Sequence, residues 1–209
     1  FSPLRIGFDV FFGNLGGALD YFSHLTSHGE HDLYEGEVEV GEVGYYTHLI
    51  TERAIDFIED AADDGFYVQV NYTAPHWPWE GPQDAQVSKE IENIFHYDGG
   101  NLATYAKMVT ALDAAVGRVL ESLKKRGLAE NTIVIFTSDN GGERFSRTWP
   151  FSGQKTELLE GGVRVPAIMR WPRRLRPRRS RRGRPPPRAR RRSRQLGERR
   201  PGFGVRWRR

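Results

Sequence analysis

Residues 134–142 read VIFTSDNGG, a run of β-branched and aromatic residues that breaks off into a carboxylate, an amide and two glycines. The run predicts a strand. A turn alone would accept Asn140-Gly141 and have no need of Asp139 in front of it. The glycine pair permits backbone angles that Cβ-bearing residues avoid, so Asp139 and Asn140 can be aimed together just beyond the strand's C-terminal end. In open α/β sheets that is where ligands bind.

The same unit recurs outward from this stretch. Leu102, Tyr105, Met108, Val109, Leu112, Ala115, Val116, Val119, Leu120 and Leu123 fall at helical spacing, which predicts an amphipathic helix over 102–123. Asn101 is its expected N-cap, and Lys124-Lys125-Arg126-Gly127 its C-terminal signal. Thr132–Thr137 then reads as a buried strand. Earlier, a helix from about Thr47 to Ala62 leads to a strand over Phe66–Tyr72 and the loop TAPHWPWEGP. A third apolar piece, Val163–Met169, follows Glu160-Gly161-Gly162. Helix–strand alternation with short links predicts an α/β sheet with helices on its faces. Residues 1–40, Gly-rich and aromatic, read as a loop-dominated wall over the sheet edge.

At 209 residues the chain suffices for one domain with a sizeable core. Its net charge of +4 conceals two unlike parts. Residues 173–209 hold eighteen Arg, no Lys and one acid, Glu198, and so carry +17, whereas residues 1–172 carry −13. The pI near 9.5 belongs to the tail. The absence of Cys excludes disulfides and thiolate metal sites. No stretch approaches the roughly eighteen apolar residues of a membrane span. Residue 1 opens no signal peptide, and without an initiating Met the start reads as a cut.

Three kinds of residue could do chemistry. Asp139 and Asn140 offer adjacent hard oxygen donors suited to Ca²⁺ or Mg²⁺, or else an Asx turn closing a strand. His76 is stiffened by Pro75 and Pro78 on either side; there it could bind an anion, protonate a leaving oxygen, or simply sit on a surface loop. Lys155, between Gly153 and the Gly161-Gly162 pair, could serve as a point charge for an oxyanion or be solvated. His24, His28 and His31 sit in an irregular segment and are not read as a metal cluster.

Read together, the stretches GFDVFFGNLGGALDYFSH, NYTAPHWPWEGP, YAKMVTALDAAVGRVLESL, NTIVIFTSDNGG and GQKTELLEGGVRVPAIMRWP occur in one order. That order resembles the sulfatases of the alkaline-phosphatase superfamily, especially arylsulfatase-like members, over roughly residues 1–172. The resemblance implies an α/β fold, a partial sulfatase/alkaline-phosphatase-like sheet with helices on both faces. It implies a sulfuric ester hydrolase acting on a small-molecule or glycan sulfate monoester, periplasmic or secreted when intact, with no specific nucleic acid or membrane partner. Asp139 and Asn140 inherit the role of two ligands of one Ca²⁺ ion. His76 inherits contact with the sulfate and service to the leaving oxygen, and Lys155 inherits contact with a sulfate oxygen. Residues 20–24 match text that lines the active-site mouth, which makes His24 a candidate for substrate contact; the aromatic Trp77 and Trp79 are candidate rim residues that could stack on a sugar or aryl ring. His76 and Lys155, gripping opposite oxygens of one sulfate, should stand roughly 6–8 Å apart, with the Asp139 carboxylate alongside.

The departures from the family pattern matter as much. Its nucleophile is a formylglycine made from the Cys or Ser of a Cys/Ser-x-Pro-x-Arg motif, and that motif is absent here, as are two further Asp ligands of the metal and a further Lys and His. In FSPLR the spacing of Pro3 and Arg5 is right, but Phe1 stands where the nucleophile belongs. The chain is therefore expected to be an inactive fragment, unstable by itself. The nearest alternative is a phosphodiesterase or phosphonate hydrolase of the same superfamily. A nucleic-acid-binding protein acting through the Arg tail is the alternative of another class.

Basic arms usually mix Lys with Arg, whereas Arg, Pro, Gly and Ala together are what GC-rich codons spell in a wrong frame. The resemblance also stops at Pro172. The segment 173–209 is accordingly expected to be a disordered tail read through a frameshift between about Arg173 and Arg178. Translating the other two frames from codon 173 should recover an ordinary α/β continuation; failure in both frames would make the tail genuine.

Overall fold

Helices form where the apolar spacing called for them. In the computed structural model, which describes residues 2–61, 65–92 and 100–175, helix α1 spans Tyr46–Asp60, a single turn α2 spans Ala85–Ser88, and helix α3 spans Leu102–Lys125. The side chain of Asn101 accepts from the backbone N–H groups of Ala103 (2.9 Å) and Thr104 (3.0 Å). Two of the donors that a helix start leaves unpartnered are thereby satisfied. The Arg-rich tail lies outside the described residues from 176 onward.

The buried face of α3 runs through Met108, Ala111, Ala115 and Leu123, while Leu102 and Val109, expected on it, are exposed. The stripe is rotated because α1 and α3 pack on each other. Small residues on the buried faces (Ala54, Ala111, Ala115) let the two backbones approach.

The described residues 2–40 are loop-dominated as expected, pinned by a short meander in which β1 (Phe12–Gly13), β2 (Tyr34–Glu35) and β3 (Val38–Glu39) pair antiparallel in that order. The stretch Val134–Thr137 forms β4. It pairs antiparallel with β5 (Ala167–Arg170), Ile135 opposite Met169 and Phe136 opposite Ile168. Between them a turn of helix, α4, spans Glu160–Val163.

Two strand expectations need correction. Phe66–Tyr72 joins no ladder among the described residues. Its period-2 pattern nonetheless survives, with Phe66, Val68, Val70 and Tyr72 half-buried and Tyr67, Gln69 and Asn71 exposed. The exposed side chains link along one face, Tyr67 Oη donating to Gln69 (3.0 Å) and Gln69 to Asn71 (3.1 Å), a spacing only an extended chain allows. The second correction concerns β4, which is not a buried strand: Ile135 is 60% exposed. β-Branched composition sets extended backbone, but burial on both faces needs layers on both sides.

The main core joins the N-terminal loops to α1, α3 and the loop after Tyr72, with Leu19, Tyr21, Leu33, Tyr46, Ile50, Trp79 and Met108 at its centre. A smaller cluster packs Ile58 and Leu123 against Phe66, Val68 and Val134.

Within the main core sit two buried carboxyl groups, Asp20 and Glu80. The two lie close enough that a charge on one disfavours a charge on the other, and of the pair it is Glu80 that keeps its proton. Burial would raise Asp20, but donors from Glu80, Ser23, Ser88 and Phe22 outweigh it and hold Asp20 below its usual range. Glu80 is pushed up to about 9 by burial and by Asp20 beside it. Glu80 Oε2 accepts from Tyr21 N (3.2 Å).

Glu80 thus keeps, in the folded state, a proton that the unfolded chain releases near pH 4.5. The folded state binds more protons across that window, so its stability should fall as pH rises from about 5 to about 9 and then level off. Urea unfolding of the full chain and of Glu80→Gln across this range measures the effect. The amide, a mimic of the protonated acid, should flatten the slope; identical slopes would show that Glu80 ionises normally.

Candidate functional site

His76 is set from behind by backbone. Its carbonyl accepts from Tyr21 Oη (3.0 Å) and its N–H donates to the Thr73 carbonyl (2.8 Å). The ring nitrogen Nδ1 lies 2.7 Å from the Trp77 carbonyl. A carbonyl only accepts, so Nδ1 carries the proton and the neutral ring presents a bare Nε2. The Trp77 ring packs against the imidazole at 4.4 Å between centroids.

Lys155 arrives from the opposite side of the chain. Its backbone N–H donates to the Gly142 carbonyl (2.9 Å), which ties the segment before α4 to the turn that follows β4. Gly141 N donates to the Gly162 carbonyl (2.7 Å), and Gly161 N to the Ser152 carbonyl (2.8 Å). These backbones meet with no room for side chains. A Cβ on Gly141 would stand 1.9 Å from the Gly161 oxygen, one on Gly161 2.1 Å from the Gly153 oxygen, and one on Gly162 2.1 Å from the Glu157 oxygen.

The interlock delivers Lys155 Nζ to 2.7 Å from His76 Nε2, although 79 positions separate the two residues. They are far closer than the roughly 6–8 Å expected of groups gripping opposite oxygens of one anion. The reason is tautomeric: with Nδ1–H spent on Trp77, Nε2 is an acceptor and the ammonium donates to it. Burial lowers the His76 pKa, Lys155 lowers it further, and the Trp77 carbonyl, Glu143 and Asp139 act in the opposite sense, the net direction being down.

Asp139 is exposed, and Asn140 half-buried, at the end of β4. Asn140 donates to the Asp139 carboxylate through N (2.9 Å) and Nδ2 (2.6 Å), and the Asp139 charge reaches His76. Both are hard oxygen donors of the kind Ca²⁺ takes, and two of the six to eight that it needs. No group of three His, Cys, Asp or Glu side chains stands ready to hold a metal among the described residues.

Glu143 is a residue that the sequence reading missed. Its Oε2 lies 3.5 Å from Lys155 Nζ, and it lines one cavity with Trp77, Gln154, Lys155 and Thr156. The signal for it was faint, a carboxylate three residues past Asn140 in a loop that returns to Lys155. Two other candidates move inward. His24 is 1% exposed, packed against Tyr46 and His31, because the tight turn from Asp20 folds it into the core. Trp79 is buried too, edge-on to Phe145 at 4.9 Å with Arg144 over its face, so Trp77 alone of the pair borders the cavity.

Comparisons with known proteins bear on this arrangement. A family profile described as Sulfatase matches residues 3–190. Arylsulfatase J of Mus musculus is 32% identical over 183 residues, covering 81% of this chain and 29% of that protein. Uncharacterized sulfatase YdeN of Escherichia coli (strain K12) is 31% identical over 182 residues, covering 84% and 30% respectively. The crystal structure of Ps i-CgsB in complex with k-i-k-neocarrahexaose matches with a TM-score of 0.68 at 31% identity, over 81% of this chain and 41% of that one. The chain spans less than a third of the length of these two curated relatives.

Gly161→Ala should drive the two loops apart. Overpacking of this kind typically destabilises by about 1–3 kcal/mol, and Lys155 should leave His76. Gly117→Ala, on an exposed turn of α3 with open space around its Cβ, should instead stabilise by roughly 0.5–1 kcal/mol. Chemical denaturation compares them; equal effects would mean that the interlock carries no strain.

Proposed function

Because the chain belongs to the sulfatase family, we propose that it carries part of the anion-binding site of a sulfuric ester hydrolase whose substrate is a small-molecule or glycan sulfate monoester. The observation that carries this reading is the Lys155–His76 contact at 2.7 Å, with Lys155 and Trp77 lining a cavity. Lys155 binds a sulfate oxygen as a point charge. An arriving anion adds negative charge beside His76 and raises its pKa, so Nε2 takes up a proton there and can pass it to the leaving alcohol oxygen. Burial that lowers the resting pKa makes the protonated ring a stronger acid.

Asp139 and Asn140 would hold Ca²⁺, which when bound neutralises charge on the sulfuryl oxygens. The formylglycine that the family resemblance calls for has no counterpart in this sequence, so the residues present bind and neutralise the anion without attacking sulfur. A glycan substrate draws support from the oligosaccharide complex of the solved relative and from the aromatic face of Trp77 at the cavity. The intact enzyme is placed by the same reading in the periplasm or outside the cell.

Titrating the full chain with inorganic sulfate should move the His76 ring resonances, and Lys155→Met should abolish the movement. No hydrolysis of an aryl sulfate is expected. Turnover that disappears in Asp139→Ala would reveal a nucleophile within this chain and overturn the reading.

A further inference from the structure

Lys155 has two partners of unequal closeness. Its short bond goes to the uncharged His76 Nε2 at 2.7 Å, and the carboxylate of Glu143 stands off at 3.5 Å. Charge-assisted N–H···O bonds close to about 2.7–2.9 Å when geometry permits. The Glu143 pair is therefore held by charge without a tight hydrogen bond, and an incoming oxygen can displace it. The backbone holds the carboxylate near the ammonium, since Lys155 N donates to the carbonyl of Gly142, immediately before Glu143. Both side chains are about three-quarters buried, 23% and 24% exposed, and both open on the same cavity.

Resting on the sulfatase reading, we infer that Glu143 is a built-in competitor of the sulfate anion. Its carboxylate occupies Lys155 until an anion arrives, and it repels that anion while it is bound. Both effects have one sign. They weaken retention of the ester, and equally of the free sulfate product, which bears more charge than the ester and is repelled more. A hydrolase that releases a dianion from a cationic pocket benefits from a fixed negative charge beside the cation, because it loosens the product more than the substrate.

The direction of the effect separates this role from a structural one. If Glu143 merely braced Lys155, its removal would weaken sulfate binding and lower stability. If it competes, its removal strengthens binding. The full chain, wild type and Glu143→Gln, is titrated with inorganic sulfate and followed by the His76 ring resonances, with thermal unfolding recorded for each. Glu143→Gln should bind about two- to fivefold more tightly, the range an ion pair of this exposure supports. Glu143→Ala should shift in the same sense, and Glu143→Asp, which keeps the charge, should stay near wild type. Unchanged or weaker binding in Glu143→Gln, with binding intact in the wild type, overturns the competitor role and leaves the Lys155 anion site standing. No sulfate response in the wild type or in any variant overturns the anion site and the competitor together.

Discussion

The site depends on backbone touching backbone. Gly141, Gly153, Gly161 and Gly162 meet at distances that exclude any side chain, and the hydrogen bond from Gly141 N to the Gly162 carbonyl fastens the contact. Hydrophobic packing could not achieve this, because side chains keep helices and sheets some 8–10 Å apart, whereas bare backbone closes to hydrogen-bond distance. The turn carrying Asp139 and Asn140 and the loop carrying Lys155 thereby become one rigid object. Nearby strain fits this picture: Phe145 and Thr156 hold left-handed backbone at φ +70° and +76°, a conformation that a β-branched residue adopts only when its surroundings dictate it.

The other half of the site is held by different physics. His76 is positioned from a core of tyrosines, Tyr21 Oη on its carbonyl and Tyr45 Oη on the carbonyl of Glu80 (2.8 Å), with the Asp20–Glu80 pair anchoring the intervening chain. A body that carries −13 thus presents, at one spot, an ammonium against a neutral imidazole. Binding an anion there works against the body's overall charge, so the local donors and not the long-range field must supply the attraction.

Much of this was legible in advance. Helical periodicity and the Asn101 cap are local properties, and both long helices lie within two residues of their expected bounds. His76 and Lys155 could be singled out from proline and glycine neighbours. Their meeting could not, because it is set by the glycine contacts, which depend on tertiary distances. Which side of α3 is buried was likewise settled by its partner: Met108, Ala115 and Leu123 face inward as expected, but Ala111 joins them while Leu102 and Val109 are exposed. Glu80 hid for the opposite reason: carboxylates are read as surface residues, and Asp20, which helps to keep it protonated, lies far away in sequence.

The extended stretch 66–72 leads directly into Pro75 and His76. With no ladder among the described residues, its amides are secured by little beyond the alternate side chains packed on α1 and α3. Such a segment opens at a small fraction of the global unfolding free energy, and its amides should exchange with solvent long before those of α3. The precision of His76 therefore rests on the short turn from the Thr73 carbonyl and on Tyr21 Oη, more than on the extended stretch 66–72. It is a suspended group, hung from Tyr21 and the N-terminal loops, and its positional fidelity is inherited from residues more than fifty positions upstream.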